Sequence, residues 1–226
     1  MPIPEEITPS ELLISKADIY EALKQWIIEG KLAPGEKILD TEIASHFHVS
    51  RTPVREVLQL LEMQKLVKSF PGKATIVTEI EKENIEQWYL PMTVLQKLAV
   101  KIAAEKTTSE DICILQSLNQ HFETEIEHRS SIMGLLNADK AFHEYILHIA
   151  DNAYISDFCE TLWIHIQRLE YNFFRETTAL SESVSDHEKI IEAFARRDGF
   201  SASLAMKNNW DNTVIQIQNL RMLNRI

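Results

Sequence analysis

Beyond Pro91 the chain has no further proline and only two glycines, Gly134 and Gly199. Because proline and glycine are the residues that most often end helices and form turns, so long a stretch with so few of them favours helices. Apolar residues recur there at intervals of three and four, the spacing of a buried helical face. The pattern predicts helices over about 82–106, 110–129, 131–150, 153–176, 183–197 and 200–222.

The N-terminal third of the chain has a different pattern. Apolar residues at helical spacing predict a first helix over about 16–30. A short second helix is expected to start near Asp40 or Thr41, either of which can act as its N-cap, and to continue through Phe47. A turn then leads to Ser50, where a third helix is predicted to begin.

The third helix is followed by a predicted hairpin. Ser50 is a candidate N-cap, and Pro53 falls in the first helical turn, where the missing N–H of proline does no harm. After the helix, the stretches VKSF and ATIVTEI are rich in β-branched and aromatic residues and flank the turn-forming PGK. Three helices and a hairpin in this order predict a winged helix-turn-helix.

The charge of the chain is distributed unevenly. The net charge is −11, yet residues 49–75 contain five basic and two acidic residues, a net of +3. The residues after Thr78 contain 14 basic and 23 acidic residues, a net of −9. A basic segment joined to an acidic body is expected when one part binds a polyanion and the other part has a different role.

Arg51 and Arg55 lie four residues apart at the start of the third helix. In a winged helix-turn-helix this helix enters the major groove of DNA with its first residues nearest the bases. A guanidinium group there can form bidentate hydrogen bonds with guanine or with phosphate. The alternative is a pair of solvated surface arginines, but the local positive charge, the preceding helix and the hairpin favour DNA binding.

No apolar run approaches the roughly 20 residues that a membrane-spanning helix needs. The acidic opening MPIPEEITPSE also lacks the basic and apolar regions of a signal peptide. We therefore expect no membrane association and a cytoplasmic location.

The stretches APGEKI, EIASHFHVSRTPVREVLQLLE and the following LV closely resemble the winged-helix domain of the GntR family of bacterial transcription regulators. The helical remainder resembles the effector-binding FCD domain of the FadR-like subfamily. The resemblance implies a mainly α protein, with a winged helix-turn-helix DNA-binding domain at 1–78 and an all-helical effector-binding bundle at 79–226. It also implies a ligand-responsive transcriptional regulator, a repressor that a small effector releases or modulates.

The resemblance extends to individual residues of the DNA-binding domain. Thr41 stands where the family often has an arginine, and His48 stands where it usually has a glycine. In the family, the start of the third helix contacts operator DNA and the turn of the wing touches the groove or the backbone. The DNA-binding residues implied for this chain are Ser50, Arg51, Thr52, Pro53, Arg55, Gly72 and Lys73.

Asp139 and His143 are four residues apart, which places a carboxylate and an imidazole on one face of a helix. A structural hydrogen-bonded pair is one interpretation, and a metal site is the other. In many FCD domains an aspartate and three histidines hold zinc, nickel or a similar divalent ion, and the matching residues here are Asp139, His143, His187 and Asn209. Because asparagine is a poorer ligand than imidazole, we expect a weakened or altered metal site, or a cluster that binds the effector directly.

The effectors of this family are small carboxylates, which can complete the coordination sphere of a metal with open positions. Arg168 is the candidate second contact to such an anion, although it could equally be a surface arginine paired with a glutamate. The implied effector site is therefore Arg168 together with Asp139, His143, His187 and Asn209. Pro91 and Met92 occupy the region where family members often carry an arginine.

A single recognition helix reads only a few base pairs, so we expect a homodimer that reads a palindrome.

The alternative function is a metal-dependent enzyme that uses Asp139, His143 and His187 for oxygenation or hydrolysis. That alternative leaves the basic wing unexplained, and the sequence has no nucleophile motif or phosphate-binding glycine loop. The tryptophans Trp163 and Trp210 are expected to pack between helices.

Overall fold

The computed structural model describes residues 14–70, 74–80, 85–173 and 181–223. The chain divides into two compact units, Met1–Glu81 and Lys82–Ile226. The described residues are mainly helical, with one small sheet in the first unit. This confirms the predicted fold class, a winged helix-turn-helix joined to a helical bundle.

The first unit contains three helices and three short strands. In chain order these are α1 (Lys16–Ile28), β1 (Lys37–Ile38), α2 (Asp40–His46), α3 (Arg51–Met63), β2 (Val67–Lys68) and β3 (Thr75–Val77). The start of α1 is fixed by a capping box in which Ser15 and Asp18 each accept from the backbone N–H of the other. Helix α1 packs against α3, and the apolar residues Ile19, Leu23, Trp26, Val54 and Leu61 are fully buried.

The predicted hairpin is present as β2 and β3, which pair antiparallel with Val67 opposite Val77. The sheet has a third strand that the sequence analysis did not foresee. Strand β1 pairs antiparallel with β3, with Lys37 opposite Ile76, so that the strand order is β1–β3–β2. Two residues are too few to produce a periodic pattern, which explains why β1 escaped sequence analysis.

The expected cap of α2 is wrong. The N-cap of α2 is Leu39, which makes no side-chain capping hydrogen bond, and Asp40 is already the first helical residue. Ser50 occupies the N-cap position of α3 as predicted, but its side chain makes no capping hydrogen bond. The side chain of Asp40 is therefore available for contacts outside its own helix.

The turn between α2 and α3 is left-handed at His48, where φ is +54°. The backbone N–H of Val49 donates to the carbonyl of Ala44, which closes the end of α2. A left-handed backbone favours glycine because it has no Cβ, and histidine adopts it at a modest energetic cost. The turn thus retains the conformation that a glycine at this position would favour.

The second unit is a bundle of long helices, as the scarcity of glycine and proline predicts. Its helices are α4 (Glu86–Lys106), α5 (Ser109–Glu127), α6 (Ile132–Ala150), α7 (Ala153–Phe173), α8 (Ser181–Ala195) and α9 (Gly199–Leu223). Helix α9 packs along α4 and α8, and α6 packs against α4 and α5. The predicted end of α7 at residue 176 lies outside the described residues. None of the helices in the described ranges is long and apolar enough to cross a membrane.

Candidate functional sites: a DNA-binding surface and an Asp-His-His cluster

The first turn of α3 is exposed at the positions predicted to contact DNA. Helix α3 buries Val54, Val57, Leu58 and Leu61 on one face, which leaves its other face at the surface. The side chains of Arg51 and Arg55 are 52% and 61% exposed, and Ser50 and Thr52 are also exposed. Pro53 is half-buried. The predicted wing residues Gly72 and Lys73 lie outside the described residues.

A groove of about 480 Å³ runs beside the two arginines. Its walls come from the end of β1, the start of α2, helix α3 and the strands of the wing. The lining residues include Leu39, Gln59, Ser69 and Thr75 in addition to the arginines. The groove therefore lies between α3 and the hairpin of β2 and β3.

Both arginines bind the same carboxylate, that of Asp40. Arg51 Nη2 donates to both carboxylate oxygens at 2.9 Å, and Arg55 Nε donates to Oδ2 at 2.7 Å. Burial acts to raise the pKa of Asp40, but the hydrogen bonds from Arg55 and Arg51 and their positive charges outweigh it, so the pKa is lowered. Asp40 precedes the arginines by 11 and 15 residues, a separation that leaves no periodic signal in the sequence.

The second site lies in the helical unit, where Asp139 and His143 of α6 meet His187 of α8. Asp139 Oδ1 is 3.5 Å from His187 Nε2, and Asp139 Oδ2 is 3.9 Å from His143 Nε2. The three residues can each offer one ligand atom, and these atoms lie within 4.8 Å of one another. The predicted fourth ligand, Asn209, is buried on α9 beside Trp210, whose ring centroid is 5.1 Å from that of His143.

The two imidazoles of this cluster are in the protonation state that metal ligation requires. Burial lowers the pKa of His143 to about 3, and burial together with the neighbouring His143 lowers the pKa of His187 well below its usual value. Both imidazoles are therefore neutral near neutral pH and have a lone pair to donate. Burial raises the pKa of Asp139 to about 7, although 19% of its side chain remains exposed.

Asn119 of α5 determines which nitrogen of His187 carries the proton. The Nδ2 group of Asn119 donates to the carbonyl of Val184 at 3.1 Å, so its Oδ1 is left as an acceptor. That oxygen is 2.9 Å from His187 Nδ1, which must therefore carry the hydrogen. The lone pair of His187 is then on Nε2, which has no hydrogen-bond partner among the described residues. Such outer contacts typically orient a metal-binding histidine.

Aromatic rings surround the two histidines. His187 stacks on Phe142 with centroids 3.8 Å apart, and the rings of His143 and Trp163 form a T-shaped contact with centroids 5.6 Å apart. Trp163 and Trp210 do pack between helices, as expected, and both also contact the cluster. The indole Nε1 of Trp210 is buried and makes no hydrogen bond within the described part of the chain.

Further polar groups are buried in the same bundle. Arg168 is only 3% exposed, so the interpretation as a surface arginine is wrong.

The hydroxyl of Tyr89 donates to Glu170 Oε1 at 2.8 Å. Burial, with the charge of Asp139 as a second cause, raises the pKa of Glu170 to about 8. Gln96 is fully buried, and neither atom of its amide has a hydrogen-bond partner in the described ranges. The sequence analysis singled out neither Glu170 nor Gln96.

Helix α4 also carries an apolar stripe at the surface. Leu90, Val94 and Leu98 are spaced four residues apart and are 67%, 59% and 49% exposed. Side chains at this spacing lie on one face of a helix. A row of three exposed aliphatic side chains is typical of a protein interface.

Two family profiles match the chain. The profile described as "Bacterial regulatory proteins, gntR family" matches residues 15–77, and that of the FCD domain matches residues 92–212, more than half of the chain. Among curated relatives, the transcriptional repressor RspR of Escherichia coli is 24% identical and aligns with 99% of this chain and 97% of its own. The transcriptional regulator LutR of Bacillus subtilis is 29% identical over 80% of this chain and 90% of its own.

Solved structures share the fold. McbR/YncC of E. coli superposes with a TM-score of 0.78 and 21% identity, covering 92% of this chain and 99% of that one. A GntR-type regulator from Rhodococcus sp. RHA1 gives a TM-score of 0.74 and 19% identity, covering 90% and 97%. At these identities the likeness concerns the fold.

A winged helix followed by a helical ligand-binding bundle defines a class of DNA-binding transcriptional regulators. The chain belongs to the GntR family of bacterial regulatory proteins, in the branch whose second domain is an FCD domain. Membership of this family assigns it to regulation rather than catalysis, and no comparison supports the enzyme alternative.

Proposed function

We propose that residues 1–78 bind operator DNA through the start of α3 and the wing, and that residues 79–226 bind the effector. The proposed contacts are Ser50, Arg51, Thr52, Pro53, Arg55, Gly72 and Lys73. The observation that carries this proposal is the pair of exposed arginines in the first turn of α3, next to a groove bounded by the wing. Guanidinium groups in that position can reach base edges and phosphates. Since RspR is a named repressor, we propose repression as the activity.

The test is binding of the full chain to the intergenic DNA upstream of its own gene. Arg51→Ala and Arg55→Ala should each weaken binding. Each should also reduce the slope of log K against the logarithm of the salt concentration by about one in magnitude. Arg196→Ala is a matched control, since this arginine is similarly exposed but lies on the helical unit. Unchanged binding in the Arg51→Ala/Arg55→Ala double variant would contradict the proposed DNA surface.

The proposal includes a homodimer that places two recognition helices on a palindromic site. The stripe of Leu90, Val94 and Leu98 on α4 supports it, because three exposed aliphatic side chains in a row gain hydrophobic energy when covered by a second copy. Effector binding in the helical unit would then change the relative placement of the two winged helices and so the affinity for the operator.

We propose that Asp139, His143 and His187 hold one divalent metal ion of the zinc or nickel class. Two neutral imidazoles and a carboxylate form a suitable donor set. The donor atom His187 Nε2 is buried and has no hydrogen-bond partner among the described residues. Asn209 is the proposed fourth ligand. Bound metal would supply open coordination positions for an anionic effector.

The proposed effector is a small carboxylate. Arg168, which is buried in the helical unit, is the proposed partner of its charge, alongside Asp139, His143, His187 and Asn209. Metal analysis of the purified protein beside His143→Ala tests this site. Full metal occupancy in the variant would show that His143 is not a ligand.

A further inference from the structure

We propose that Asp40 is a specificity-determining residue of the DNA-binding surface. Its carboxylate holds Arg51 and Arg55 in a fixed orientation beside the groove and cancels one of their two positive charges. This inference rests on the proposed DNA contacts of the two arginines. It assigns a role to an acidic residue that, by its charge alone, would be expected only to repel DNA.

The contacts leave the arginines able to bind DNA while they are held. Asp40 engages a single nitrogen of each guanidinium, Nη2 of Arg51 and Nε of Arg55. Each guanidinium has five N–H groups, so most of the donors remain available to another acceptor. Asp40 therefore orients the two arginine side chains and does not occupy all of their hydrogen-bond donors.

Asp40 is placed so that it can stay where it is when DNA binds. It is the first residue of α2, and its side chain is only 21% exposed, against 52% for Arg51 and 61% for Arg55. Its negative charge is also favoured by the positive end of the helix dipole. A larger fraction of each arginine side chain than of the carboxylate is therefore open to solvent.

The two modes of DNA binding respond differently to this arrangement. Non-specific binding depends on the number of positive charges facing phosphate, and Asp40 reduces that number by one. Specific binding depends on side chains that meet particular base edges, and it gains when these side chains are already ordered before DNA arrives. Asp40 should therefore weaken non-specific binding and strengthen operator binding relative to it.

The experiment compares Asp40→Asn with the unmodified full chain on two duplexes of about 30 base pairs. One duplex is selected from a random pool by the unmodified protein, and the other is a scrambled sequence of the same composition. Asp40→Asn should bind the scrambled duplex more tightly than the unmodified protein does. The slope of log K against the logarithm of the salt concentration should be steeper by about one. The ratio of the two affinities should fall on the order of tenfold. Asp40→Glu, which keeps a carboxylate, should recover part of that ratio.

Glu42→Gln is the matched control, because it removes the same charge from the same helix and no ion pair of Glu42 occurs among the described residues. An affinity ratio in Asp40→Asn that equals the ratio in Glu42→Gln would overturn the proposal, whether both duplexes bind more tightly or more weakly. The arginine variants distinguish a wrong assignment of the DNA surface from a wrong role for Asp40. If Arg51→Ala and Arg55→Ala bind the selected duplex normally, the DNA surface itself is misassigned. If these two variants lose binding but Asp40→Asn keeps the affinity ratio of the unmodified protein, only the role of Asp40 is wrong.

Discussion

Replacement of the buried Glu170 by glutamine should change how the stability of this protein depends on pH. Burial raises the pKa of Glu170 from 4.5 to about 8, with the charge of Asp139 adding to the effect and the hydrogen bond from Tyr89 opposing it. Because the pKa is higher in the folded protein, the unfolded chain loses this proton first as the pH rises. Stability is therefore retained below pH 4.5 and is lost progressively until the pH passes about 8.

The size of this loss follows from the pKa. A tenfold change in proton affinity corresponds to about 1.4 kcal/mol, so the rise to about 8 corresponds to at most about 5 kcal/mol of lost stability at alkaline pH. Glutamine has the same shape as glutamate and keeps an oxygen that can accept from the hydroxyl of Tyr89, but it does not ionise. Glu170→Gln should match the unmodified protein at about pH 4 and exceed it by about 3–5 kcal/mol at about pH 9.

Urea denaturation of the full chain in the presence of a metal chelator measures this difference. Glu105→Gln, at an exposed position of α4, is the control for removing a carboxylate from the surface. Asp139 titrates in a similar range and its charge interacts with that of Glu170, so the difference between the two proteins reports on Glu170 together with this interaction. A stability difference between the two proteins that has the same size at acid and alkaline pH would refute the reasoning. It would show that Glu170 has the same pKa in the folded and unfolded chain.

Three other predictions concern the turn, the metal site and the dimer. His48→Gly should change the free energy of unfolding by no more than about 0.5 kcal/mol relative to the unmodified protein. His48→Val should lower it by about 1–2 kcal/mol, because a β-branched residue is strained at positive φ. Urea denaturation of both variants measures these changes, and equal stabilities would contradict the prediction. Asn119→Leu should weaken zinc binding by about 10–100-fold in calorimetry, because it releases the tautomer of His187; an unchanged affinity would argue against that role. Val94→Glu should convert dimer to monomer in analytical ultracentrifugation while circular dichroism stays unchanged, and a variant that remains dimeric would move the interface away from α4.

Local patterns in the sequence were sufficient for the helices, for the hairpin of β2 and β3 and for part of each site. The helices of the second unit follow from apolar spacing and from the absence of proline after Pro91. The pairing of Asp139 with His143 on one face, and the exposure of Arg51 and Arg55 at a helix start, follow from the helical repeat. These features depend on residues within one or two turns of each other, and such residues are neighbours in any helix.

The contacts that complete the two sites depend on packing between elements. Asp40 reaches Arg51 from a different helix, Asn119 meets His187 across 68 residues, and Glu170 receives the hydroxyl of Tyr89 across 81 residues. No repeat in the sequence specifies these partners, because each depends on how two elements are rotated about their axes and how closely they pack. The burial that raises the pKa of Glu170 arises in the same way. The sequence by itself thus determined which side chains share a face of a helix, and the tertiary structure decided which of these faces meet.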